Sequence, residues 1–134
     1  MKVLILTEGG QKIGFGHLTR CLGLAQGFKA YQDIQEIKFL VYGDAFAKQF
    51  LKQCPYECVF FNWLKNTNDA LKLVIQNDYT VIDSYLAKKS FYEMVSRLKK
   101  SCLLMIDDYK RISYPGGVLV NPSLAGEKLL CKRS

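Results

Sequence analysis

The sequence predicts an α/β domain: a mainly parallel sheet with helices on both faces. Three observations carry that expectation. Short apolar runs alternate with longer amphipathic segments along the whole chain. The runs are rich in Val, Ile, Leu, Phe and Tyr and look apolar on both faces, as strands buried from both sides do. The segments between them repeat apolar residues at three- and four-residue spacings, the period of a helix that covers a sheet.

"KVLILT" at 2–7 is the first strand, and the glycine-rich turn after it leads into a helix over 16–31 with Leu18, Cys21, Leu22 and Ala25 on one face. "EIKFLVYG" at 36–43 is the second strand, followed by a helix over 44–54 that Asp44 caps. A third strand, "YECVFF" at 56–61, precedes a helix over 66–77 with Asn66 or Asn68 at the N-cap. "YTVID" at 79–83 is the fourth strand and 88–100 the fourth helix, flanked by Lys88, Lys89, Lys99 and Lys100. "CLLMIDD" at 102–108 makes a fifth strand, and the turn "SYPGG" introduces the last, "VLVNP" at 118–122. Strand and helix alternating in this way imply a Rossmann-like domain over 1–125, with 126–134 as a short basic tail.

At 134 residues, 49% hydrophobic and 23% charged, the composition is that of a globular domain, and fibrous and disordered classes are excluded. No apolar run is long enough to span a bilayer, and the N-terminus reads as a strand instead of a leader, so a cytoplasmic protein is expected. The five cysteines are odd in number and unevenly spaced, which suits reduced thiols. "CPYEC" lacks a C-x-x-C spacing, and with one His in the chain no metal and no cofactor are expected. The formal charge of +7 favours an anionic partner. No recognition helix or RNP-like pattern points to nucleic acid.

Ligands of open parallel sheets bind beyond the carboxyl ends of the strands. Polar residues gather there: Thr7 and Glu8 after the first strand; Asp83, Ser84 and Tyr85 after the fourth; Asp107, Asp108 and Tyr109 after the fifth; Asn121, Pro122 and Ser123 after the last. The glycine turn is not a dinucleotide fingerprint, because Thr19 stands where a third glycine belongs, and no Walker loop exists. A phospho-acceptor receiver domain is disfavoured because "TEGG" replaces its acidic pair. Gly14 and Gly16 permit positive φ and close approach of a ligand to backbone. His17 then falls in the first helical turn, where the positive end of the helix dipole favours neutral imidazole, the form able to take a proton. Arg20, three residues on, shares its face and can hold an anionic group or orient an acidic neighbour. Asp83 and Asp107 can orient His17 or hold hydroxyls.

The segments "IGFGHLTRCLGLA", "VIDSY", "IDDY" and "VNPS", in this order, resemble the N-terminal half of the UDP-2,4-diacetamido-2,4,6-trideoxy-β-L-altropyranose hydrolases of pseudaminic acid biosynthesis and the related spore-coat polysaccharide proteins. The resemblance implies a GT-B architecture, two Rossmann-like domains facing a cleft, of which this chain would be the first. It implies that His17 activates water to attack the anomeric carbon of a UDP-sugar with inversion and without metal. Tyr85 would line the sugar site, Gly14, Phe15 and Gly16 its floor, Asp107 and Asp108 its border, and Asn121 would lie near the domain junction. The pattern departs at Leu6 and Glu8, where the family often carries Arg and Asp. The UDP-binding half would be a partner in trans, or the exposed domain face would support self-association. A glycosyltransferase of the same architecture and a non-catalytic sugar- or protein-binding domain are the alternatives.

Overall fold

A computed structural model describes residues 1–98, 103–106, 118–120 and 132–133, the last pair by backbone alone. The chain order is β1 (Lys2–Gly9), α1 (Gly16–Lys29), β2 (Glu36–Gly43), α2 (Ala45–Phe50), β3 (Glu57–Phe60), α3 (Thr67–Ile75), β4 (Tyr79–Asp83), α4 (Lys89–Leu98), β5 (Leu103–Ile106), β6 (Val118–Val120) and β7 (Lys132–Arg133). They build one seven-stranded sheet in the order β3-β2-β1-β4-β5-β6-β7. All neighbouring pairs are parallel except β6 with β7. This is a Rossmann-like topology.

Side-chain alternation along the strands divides the core in two. Val3, Ile5, Phe39, Val41 and Val81 pack with Leu18, Cys21 and Ala25 of α1 and Ala47 of α2. Leu4, Leu6, Leu40, Ile82 and Met105 face the other way, against Ala70 and Val74 of α3 and Phe91, Tyr92 and Val95 of α4. Helices therefore cover both faces, which is why these strands read as continuous apolar runs. Trp63 is fully buried in the second layer, 5.3 Å from the Phe91 ring, and its Nε1–H donates to the Thr7 carbonyl at 2.9 Å.

The structure moves some expected boundaries. β1 continues two residues past Thr7, because Glu8 and Gly9 keep their register with Tyr42 and Gly43 of β2. α2 ends at Phe50 and gives way to a turn before Pro55, whose ring disfavours helical geometry in the residue ahead of it. Asp44 caps α2 by accepting from the Ala47 amide at 3.0 Å, whereas Asn66 stands at the N-cap of α3 without a side-chain bond. Within the segment expected to be a tail, Lys132–Arg133 pair with Val118 and Leu119 and extend the sheet by one antiparallel strand.

No helix among the described residues is long and apolar enough to cross a membrane.

Candidate functional site

The strand order reverses direction between β1 and β4, so the crevice of this sheet opens where those two strands end. β1 delivers Glu8 there, β4 delivers Asp83, and α1 begins beside them with His17 as its second residue. The connection from β1 to α1 is made tight by a bridge between Gly10 and Gly14, whose backbones exchange hydrogen bonds of 3.1 and 2.7 Å.

Of the two glycines expected to take positive φ, Gly14 does (87°) and Gly16 does not, because it already belongs to α1; Gly10, which forms the bridge with Gly14, has the other positive φ (148°). Three further glycines have packing roles that spacing did not reveal. A Cβ on Gly9 would lie 2.5 Å from Leu18, one on Gly10 2.6 Å from the Asp44 carboxylate, and one on Gly43 2.6 Å from the Ala47 Cβ. Beside Gly14 and Gly16 there is open space instead: apart from the adjoining chain, no atom of the described residues comes within 4 Å of where a Cβ would stand.

His17 is 5% exposed and sits between two carboxylates that are both fully buried. Its Nδ1 is 2.7 Å from Asp83 Oδ1. An ionised carboxylate only accepts, so this contact assigns a proton to Nδ1 and leaves the lone pair of the neutral ring on Nε2. Nε2 lies 3.7 Å from Glu8 Oε2. The Tyr85 ring meets the imidazole edge-on, with centroids 4.4 Å apart.

Arg20 grips the same aspartate with both arms of its fork. Its Nε donates to Asp83 Oδ2 at 2.7 Å and its Nη2 to Oδ1 at 2.5 Å. Among the described residues, Arg20 takes one of the roles open to it, orienting an acidic neighbour. Burial pushes the Asp83 carboxyl up, but the bonds from His17 and Arg20 and the guanidinium charge outweigh it and hold the pKa below the ordinary carboxylate value. Cys21, one helical turn from His17, points its thiol at Asp83 Oδ2 from 3.5 Å. Its burial, then the Asp83 charge, raise that thiol well above its ordinary value.

Glu8 is held by neutral donors. Ser84 Oγ donates to its Oε1, and the Tyr85 amide donates to Oε2 at 2.8 Å. Ser84 Oγ in turn accepts from the Leu86 and Ala87 amides, both at 3.0 Å. Sequence reasoning placed Glu8 at the sheet edge without a role; the signal it held was a charged residue continuing a buried strand, which demands a partner.

Of the remaining expected site residues, Phe15 stands at the N-cap of α1 and stacks on Phe50 with centroids 5.0 Å apart. Asp107, Asp108 and Asn121 lie outside the described residues. Cys21, Cys54 and Cys58 are free thiols. A cleft of about 610 Å³ opens alongside, between the 10–13 loop, Tyr42, Asp44 and Leu86. No group of three metal-ligating side chains is arranged around a common point among the described residues.

No family model matches the chain, and no solved structure matches it. The chain is similar to the uncharacterized protein MJ1062 of Methanocaldococcus jannaschii, with 23% identity over 129 residues. That alignment covers 95% of this chain and spans 26% of the relative's length.

Proposed function

We propose that this chain is the N-terminal, catalytic domain of a nucleotide-sugar hydrolase built from two Rossmann-like halves facing a cleft. The observation that carries the proposal is the Asp83–His17 pair at the crevice between β1 and β4: a buried carboxylate fixes the imidazole tautomer, and Nε2 is left to take a proton. The resemblance of "IGFGHLTR" and "VIDSY" to the hydrolases of pseudaminic acid biosynthesis supplies the substrate class, a UDP-linked diacetamido sugar.

In this reading His17 Nε2 takes a proton from water as the oxygen attacks the anomeric carbon. The bond from that carbon to the UDP oxygen breaks with inversion, UDP leaves, and the proton passes from the imidazolium to solvent. Asp83 holds the ring and Arg20 holds Asp83, while the open space at Gly14 and Gly16 admits the sugar beside the backbone. Binding energy from the UDP moiety belongs to the second half, so the isolated chain folds but turns over poorly.

The test is His17→Asn in a protein containing both halves. UDP release should fall about 10²–10⁴-fold, the range for loss of a general base, with UDP binding retained. Unchanged turnover removes His17 from the reaction, and formation of a glycoside in place of free sugar favours a transferase.

A further inference from the structure

The geometry points to Glu8 as a second positioning carboxylate, whose charge faces His17 Nε2 and stabilises the imidazolium formed when that nitrogen takes a proton. The inference rests on the proposed role of His17 as base. It concerns a residue on the opposite side of the ring from Asp83, and its observations are separate.

A glutamate with no exposed surface is costly unless its charge is used or its oxygens are satisfied. Here one oxygen accepts from Ser84 Oγ and the other from the Tyr85 amide. Both donors are neutral, and the nearest cation these contacts offer Glu8 is a protonated His17, 3.7 Å away. Asp83 differs, because Arg20 already balances its charge. In the neutral ring, Nε2 and the Glu8 carboxylate stand across a 3.7 Å gap, too long for a hydrogen bond. After proton transfer the same gap separates a cationic N–H from an anion, which is favourable. Glu8 therefore discriminates between the two states of the base, the kind of contact that lowers a barrier without tightening substrate binding.

Among the described residues, the groups facing the imidazole are Glu8 from β1, Asp83 from β4, Arg20 from α1 and Tyr85 from the turn after β4, with the Cys21 thiol of α1 on Asp83 behind it. Only Glu8 addresses Nε2 among these contacts.

His17 is the sole histidine of the sequence, so its ring resonances can be followed by NMR without assignment. In Glu8→Gln the titration midpoint should move to lower pH by about one to three units, the effect of removing an opposite charge at such a distance. Glu8→Asp keeps the charge but withdraws it by one methylene, and should move the midpoint the same way by less. An unmoved midpoint in folded Glu8→Gln overturns the inference. Should that variant not fold, as judged by near-ultraviolet circular dichroism, an unmoved midpoint in Glu8→Asp overturns it equally. In a turnover-competent two-half protein, Glu8→Gln should lower kcat about tenfold or more with KM kept, and shift the acid limb of the pH profile by the same interval as the NMR midpoint. The titration reads the ring and not the reaction. A wild-type protein that releases no UDP sinks the hydrolase reading and leaves the Glu8 result standing; an unmoved midpoint in an active protein does the reverse.

Discussion

Replacing Asp83 by Asn tests the site's architecture through stability alone. The aspartate is fully buried and accepts from His17 Nδ1, Arg20 Nε and Arg20 Nη2 at 2.5–2.7 Å. Asparagine retains one acceptor oxygen, adds an amide donor among existing donors, and removes the charge. Breaking a buried pair by removing one partner costs about 3–5 kcal/mol. The Arg20 side chain is 25% exposed and can recover water, so the lower end, about 3 kcal/mol, applies. For a domain of this size that corresponds to a fall in Tm of roughly 10 °C at pH 7.

The pH dependence has a definite sign. The folded pKa of Asp83 is depressed, so its contribution is complete above the ordinary carboxylate range and disappears as pH falls through the lower folded value. Thermal unfolding of wild type and Asp83→Asn, followed by circular dichroism from pH 7 down to pH 3, should show the two Tm values converging on the acid side. A difference under about 2 °C at pH 7, or one that does not shrink with acid, would refute the buried-pair argument.

Two further outcomes follow from packing and burial. Gly43→Ala would drive a methyl into the Ala47 Cβ at 2.6 Å and the Gly9 carbonyl at 2.9 Å, and chemical denaturation should register a loss of about 1–3 kcal/mol. Native alkylation at pH 8, mapped by mass spectrometry, should label Cys21 more slowly than half-buried Cys54, because burial and the Asp83 charge keep the Cys21 thiol protonated. Cys58, whose thiol burial and the neighbouring Cys54 push up to about 12, should also lag behind an ordinary exposed thiol.

The strands and helices were legible because their burial is periodic. β1 alternates between two cores, and α1 presents Leu18, Cys21 and Ala25 at helical spacing, so local pattern and tertiary environment agree. The convergence of His17 and Asp83 was legible from strand ends, since in a parallel sheet those ends meet at one edge. What pattern did not disclose was pairing. Nothing in the spacing says that Arg20 spends its fork on Asp83, a residue 63 positions away, or that Glu8 is satisfied by Ser84 and Tyr85. The glycines illustrate the same limit. Gly14 and Gly16 looked equivalent in sequence, yet only Gly14 needs a left-handed backbone, and the demands on Gly9 and Gly43 come from residues on other elements.

In the proposed reaction His17 directs water to carbon. The most direct test is to give the whole product of the reading frame that carries this chain a UDP-linked diacetamido sugar in ¹⁸O-labelled water, and to locate the label by mass spectrometry. One ¹⁸O is expected in the released sugar and none in UDP, with loss of both products in His17→Asn. Label in UDP would mean attack at phosphorus and would contradict the proposal, as would full turnover without His17.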